Sequence, residues 1–189
     1  MMKKYLILVK HSVPQLEPDQ PAHTWKLSEE GRLRANRLGE QLEEFEPEVI
    51  VSSREPKAKE TADILGKNFG LPVEVRPDLH EHDRSNIPFL SHDAFQSSIR
   101  EFFQKPDELV FGAETAHQAH ARFYQALHSL LNDHRDKTLI VVTHGTVISL
   151  FVSRLTGSSD RELWNRLGLP SFVAIDLHSS TLIVRSNVS

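Results

Sequence analysis

The stretches LILVKHSVP, residues 6–14, and LIVVTHGTV, residues 139–147, are built alike. Each opens with four large aliphatic residues, passes through one polar residue and reaches a histidine. A short, continuous, β-prone run of this kind is the pattern of a strand covered on both faces of a parallel sheet. In such sheets ligands bind outside the carboxyl ends of the strands. Lys10, His11 and Ser12 are therefore expected at the same sheet edge as Thr143, His144 and Gly145. Were the two strands neighbours, about 4.8 Å apart, both imidazoles would reach one small ligand.

The rest of the chain fits around these strands, predicted over residues 5–9 and 138–142. Residues 49–51 form a third β-prone run, with helical patterns between the runs. Ser28 is the predicted cap of a helix whose buried stripe is Ala35, Leu38, Leu42 and Phe45, at three- and four-residue spacing. Pro56 suits the first turn of a second helix, with Ala58, Thr61, Ala62, Leu65 and Phe69 on one face and Gly70 ending it. A third helix is predicted from near Glu114, with Ala119, Phe123, Ala126 or Leu127, and Leu130 facing inward. FVAIDL, residues 172–177, and TLIVR, residues 181–185, read as a hairpin. Strands alternating with helices imply an α/β fold: a three-layer α/β/α sandwich with a mostly parallel sheet and an antiparallel edge strand. Residues 81–112 have weaker periodicity, with one predicted helix over 94–103 between Pro88 and Pro106. They are expected to form a short cap or lid insertion within a single domain spanning 1–189, since domains commonly run to roughly 100 to 200 residues.

Composition narrows the function classes. At 39% hydrophobic and 25% charged residues, the chain matches a soluble globular protein rather than a disordered or fibrous one. Its 22 basic and 26 acidic residues give a net charge of -4, which argues against wholesale binding of nucleic acid or anionic membrane. The lack of cysteine removes disulfide and thiolate chemistry and fits a reducing cytoplasm. The N-terminal apolar run stops at Val9, short of a signal-peptide core, and no run approaches the roughly 20 residues of a membrane helix. A cytoplasmic setting is expected; the pattern specifies no oligomeric state. Eleven histidines are more than one site needs, so most are expected to be surface or structural.

A third strand exit, VSSREPKAKETA over residues 51–62, adds Ser52, Ser53, Arg54 and Lys57 at a helix start, where free N–H groups and the helix dipole favour an anion. Gly145 does likewise after His144, because a residue without Cβ lets a ligand approach the backbone. A pocket of imidazoles, lysines and helix starts suits a phosphate. Phosphoryl transfer needs an in-line nucleophile, positive charge over the equatorial oxygens and an acid for the leaving oxygen. A neutral imidazole held in one tautomer can be that nucleophile. LHEHD, residues 79–83, offers Glu81 as the acid, with His82 and Asp83 as alternatives. His80 with His82, and Glu114 with His117 and His120, invite a metal-site reading on spacing alone, but neither has a recognisable partner set.

The ordered motifs resemble the histidine phosphatase superfamily, the phosphoglycerate-mutase-like proteins, in the branch whose second histidine precedes glycine. Lys10-His11-Ser12 stands where that family has Arg-His-Gly. Leu27-Ser28, Gly31, Ala35, Leu38 and Gly39 follow its next signature; Ser52-Ser53, Lys57-Ala58 and Thr61-Ala62 follow the third. Leu79-His80-Glu81, Gly112-Ala113-Glu114-Thr115 and Thr143-His144-Gly145 complete the series over nearly the whole chain. The resemblance implies hydrolysis of a small phosphorylated substrate through a phosphohistidine at His11. It implies a phosphate held by Lys10, Ser12, Lys57, His144 and Gly145, a proton from Glu81, and neither metal nor cofactor. The stretch 81–112, with Phe89, His92 and Phe95 as candidate mouth residues, is expected to set the substrate. The chain departs from the family in its cations: both family arginines are lysines here, so charge is kept but the bidentate fork is lost. It departs also at Ser12, which replaces a glycine, and at Val13, which replaces a residue that is often acidic. The alternatives are a phosphomutase, a weakly catalytic phospho-ligand binding protein and a metallohydrolase.

Overall fold

The computed structural model describes residues 3–179 and 182–186. Six strands, β1 (Tyr5–Lys10), β2 (Val49–Ser52), β3 (Val73–Val75), β4 (Leu139–Thr143), β5 (Ser171–Asp176) and β6 (Leu182–Ser186), form one sheet in the order β3-β2-β4-β1-β5-β6. The four strands from β3 to β1 are mutually parallel, whereas β5 runs antiparallel to β1 and β6 antiparallel to β5. The predicted hairpin is thus the antiparallel margin of a mixed sheet; its residue Thr181 lies outside the described residues.

The pleat divides the core. Leu6 and Leu8 of β1 and Leu139 and Val141 of β4 pack on one face with Phe123, Leu127 and Leu130 of α4 (Ala116–Asp133) and Val147, Ile148 and Phe151 of α5 (Gly145–Thr156). Ile7, Val9, Ile140 and Val142 point the other way, onto α1 (Glu29–Leu42) and α2 (Pro56–Phe69) through Leu38, Leu42, Ala58, Ala62 and Leu65. That period-two split within unbroken apolar runs is what burial on both faces requires. A third cluster, Ile99, Phe102, Phe111, Ala116, Ala119 and Leu150, seats α3 (His92–Gln104) against α4 and α5. A short α6 (Asp160–Arg166) precedes β5.

Local chemistry sets the helix starts. The Ser28 hydroxyl accepts from the Gly31 N–H, Thr115 and Gln118 form a reciprocal capping box before α4, and Pro56 occupies the first turn of α2. Gly31 has a second task. A Cβ there would sit 2.1 Å from the Val13 carbonyl oxygen, so only glycine lets the segment after His11 cross the start of α1. The Ser28 N–H and hydroxyl both donate to that carbonyl, at 3.0 and 3.1 Å, fixing the crossing. Among the described residues no helix is long and apolar enough to cross a membrane.

Candidate active site

Register brings the histidines together. β1 and β4 are adjacent and parallel with Lys10 opposite Thr143, and the His11 N–H donates to the Thr143 carbonyl at 3.0 Å. His11 and His144 each stand one residue past the paired ends, and their rings lie edge to face with centroids 5.2 Å apart. Both are buried, His144 completely and His11 to 7% exposure. Burial first, and then nearby positive groups, hold both imidazoles well below their ordinary pKa, so both are neutral at pH 7. The His11 Nδ1 lies 2.7 Å from the Ser12 carbonyl. A carbonyl only accepts, which assigns the proton to Nδ1 and leaves the Nε2 lone pair free.

The surroundings of this pair are polar and incompletely satisfied. Among the described residues the Ser12 hydroxyl, the His144 Nδ1, the Thr146 hydroxyl and, on the loop after Glu81, the His82 Nδ1 are buried without a hydrogen-bond partner. Buried polar groups are rarely left so, and three of them around the ends of two strands mark a place for a polar ligand. The Ser12 N–H is used locally, donating to the Thr61 hydroxyl at 3.1 Å, and Thr61 in turn donates to the Lys57 carbonyl at 2.8 Å. His144 Nε2 lies 2.9 Å from the Ser53 hydroxyl.

Both lysines reach the site. Lys57, 6% exposed on the first turn of α2, donates from Nζ to the Ala22 carbonyl and to Glu55 Oε2, each at 2.6 Å. Lys10 donates from Nζ to the Leu167 carbonyl at 2.8 Å, and burial pushes its pKa down to about 8 against the pull of Glu81. Its stem lies along the start of α5: a Cβ on Gly145 would meet Lys10 Cε at 3.0 Å and Nζ at 3.3 Å. Glycine at 145 is what leaves room for the ammonium beside that helix start.

Glu55 is the residue the sequence does not announce. It precedes Pro56 in a polar run, where a solvated side chain is the ordinary reading, yet it is 8% exposed. Its carboxylate receives Lys57 through Oε2 and the Glu81 N–H through Oε1 at 3.0 Å, with His144 Nε2 3.4 Å from Oε1. One carboxylate thus links the helix that carries Lys57 to the loop that carries Glu81.

That loop is held from behind. Glu114 grips Arg122 by two bonds, at 3.1 and 2.6 Å, and accepts the Asp83 N–H at 3.0 Å. Arg122 also donates to the carbonyls of Asp78, His80 and Glu81. Glu81 itself accepts from the His82 N–H at 2.9 Å and, through Oε2, from the Thr146 N–H at 3.2 Å. Burial alone would raise the Glu81 pKa; Arg84, His144 and the His82 N–H outweigh it, and the net shift is downward. The alternative acids are otherwise engaged. His82 packs 4.2 Å from the Phe102 ring and bonds the Glu114 carbonyl through Nε2, and Asp83 accepts from the Ser85 N–H and hydroxyl.

Arg54 is exposed, as is His92 at the start of α3, and Phe89 leans on Trp25 with ring centroids 6.1 Å apart. His117 pairs with Asp107 and His120 stacks on Tyr124, so the metal-like spacings do not converge; among the described residues no group of three or more candidate ligands exists. A cleft of about 270 Å³ lies on the Glu55, Lys57 and Glu81 side of the site, lined also by Ala22, His80 and Arg84 among others.

The chain is thus an α/β protein whose sheet sets two neutral imidazoles side by side at adjacent strand ends, among lysines and helix starts. The chain belongs to the histidine phosphatase superfamily, branch 1, whose model matches residues 6–187. It is 27% identical over 138 residues to the uncharacterized phosphatase PhoE of Bacillus subtilis, covering 72% of this chain and 67% of that one. It is 31% identical over 147 residues to a metal-independent phosphoserine phosphatase of Arabidopsis thaliana, covering 70% of this chain but only 59% of that protein. Among solved structures, a mycobacterial glucosyl-3-phosphoglycerate phosphatase in complex with inorganic phosphate superposes with a TM-score of 0.75 at 25% identity, covering 98% of each chain.

Proposed function

We propose that this protein hydrolyses small phosphomonoesters without a metal, through a phosphohistidine on His11. The observation that carries the reading is the His11 imidazole: neutral, fixed by the Ser12 carbonyl with Nε2 unprotonated, and 5.2 Å between centroids from His144. In the first step Nε2 attacks phosphorus as the bond to the leaving oxygen breaks, and Glu81 gives that oxygen its proton. In the second, water attacks phosphorus, Glu81 takes the water's proton, and the P–N bond breaks to release phosphate and restore His11. Lys10, Lys57, Ser12, His144 and the Gly145 N–H hold the equatorial oxygens through both steps.

Glu81 must be protonated for the first step, although its neighbours favour the carboxylate in the free protein. A phosphate dianion arriving beside it supplies the correction, since a like charge raises a carboxyl pKa. The phosphatase relatives and the phosphate held by the mycobacterial neighbour support the same chemistry. One observation favours a phospho-ligand binding protein instead: both lysine ammoniums already donate to protein acceptors.

The test is hydrolysis of p-nitrophenyl phosphate, with and without chelator, by the wild-type protein and by His11→Ala. Turnover insensitive to chelator and abolished by the substitution is expected. An active His11→Ala protein would remove the nucleophile from the scheme, and inactive wild type that still binds vanadate would favour the binding reading.

A further inference from the structure

Arg84 is an arginine whose guanidinium is little used inside the protein. Its side chain is 23% exposed and lines the cleft, yet among the described residues its guanidinium donates no hydrogen bond. Its one ion pair is loose, NH2 to Glu81 Oε2 at 3.8 Å. Arg122, on the far side of the same loop, shows what satisfaction looks like, with Glu114 and three carbonyls bonded. A guanidinium is a fork of N–H donors suited to a carboxylate or phosphate, and here that fork lines the cleft with its donors open to a ligand. Arg84 is also held in place: it lies 4.9 Å over the Phe95 ring, and Phe95 packs near Trp164 of α6, 6.1 Å between centroids. The neighbouring charged residue, Asp83, is occupied by Ser85.

The placement says which part of a ligand Arg84 meets. This step rests on the hydrolase reading, in which Glu81 marks the leaving oxygen. A cation beside Glu81 that also lines the cleft faces the leaving portion of the substrate rather than the phosphoryl group. We propose that Arg84 is a specificity-determining residue that binds a second anionic group, such as a carboxylate, on the leaving portion of the substrate. The preferred substrates are then small phosphomonoesters with a negative group a few bonds from the ester oxygen. A second consequence concerns the acid. An anion that takes up the Arg84 charge relieves its pull on Glu81, so the substrate that fits is also the one that helps load the proton donor.

The experiment is a charge series on one two-carbon skeleton: 2-phosphoglycolate, ethyl phosphate and phosphoethanolamine, with p-nitrophenyl phosphate as the reference ester. Wild type is expected to favour phosphoglycolate over ethyl phosphate by about tenfold or more in kcat/KM, with phosphoethanolamine worst. In Arg84→Met the ratio collapses towards one, Arg84→Lys restores part of it, and Arg84→Glu reverses it in favour of phosphoethanolamine. A merely structural role would lower all three rates together and leave the ratios alone, which overturns the proposal. Hydrolysis of the reference ester with no discrimination across the series, or with no turnover of the series, also overturns it and leaves the hydrolase reading standing. No hydrolysis of any ester overturns both.

Discussion

Glu55→Ala is the most informative single change to the pocket's architecture. The Glu55 and Lys57 side chains are 9% and 8% exposed and meet at 2.6 Å, so their charges are paired largely out of water. Removing one partner of a buried pair strands the other, at a cost of about 3–5 kcal/mol, and here the Glu81 N–H loses its acceptor as well. For a chain of this size, with a Tm shift of about 2–4 °C per kcal/mol, the melting point should fall by roughly 6–20 °C. Urea denaturation in phosphate-free buffer reads the loss directly. Inorganic phosphate should then stabilise Glu55→Ala more than wild type, because the bound anion takes over the stranded ammonium. Glu55→Gln, which keeps an acceptor for Glu81 and loses only the charge, should fall between the two. A Glu55→Ala protein within about 1 kcal/mol of wild type, or one whose response to phosphate is no larger, would refute the assignment of Glu55 as the inner counter-ion of the site.

Three further outcomes are expected. His11 and His144 are held far below the ordinary 6.5, so below that pH the unfolded chain binds protons that the folded one refuses. Stability should therefore fall as pH drops from about 6.5, by about 1.4 kcal/mol per unit for each histidine, with His82 adding its share down to about 4; urea midpoints that stay flat between pH 7 and 5 would contradict this. Glu114→Gln loosens the Arg122 grip on the loop of Glu81 and should lower kcat roughly 10- to 100-fold in steady-state assays while the fold survives, whereas an unchanged kcat would show that the loop needs no such support. Lys57→Arg forces a larger group into the buried niche between Ala22 and Glu55, and should cost about 1–3 kcal/mol in denaturation and slow hydrolysis; a faster, equally stable variant would mean the ammonium merely stands in for a fork.

What the sequence discloses is what short-range physics controls. The aliphatic runs ending at Lys10 and Thr143 predict buried strands, and the histidines after them inherit their position from the sheet edge. Ser28, Pro56 and Gly70 mark helix ends because caps and fixed or left-handed backbone angles act within a turn. The helix predicted over 94–103 begins two residues earlier, where Ser91 accepts from the Ala94 N–H. Glu55 and Arg84 are different. Each is a charged residue in a polar run, and only the packing of distant elements decides that one is buried against Lys57 and the other overhangs the cleft. The same holds for the Glu114 and Arg122 clamp: Glu114 precedes the cap of α4 and Arg122 lies eight residues on, so no local spacing rule announces the pair or its grip on the loop of Glu81. The ordered motifs locate the pocket; its charge balance emerges only in three dimensions.

The central claim is that phosphorus passes through His11 on its way to water, and the stereochemical course at phosphorus tests it most directly. Two successive in-line displacements, first by the imidazole and then by water, return the original configuration. Hydrolysis of a phosphorothioate ester made chiral with oxygen isotopes should therefore proceed with retention. Inversion would mean that water attacks the ester in one step, with His11 reduced to a phosphate ligand.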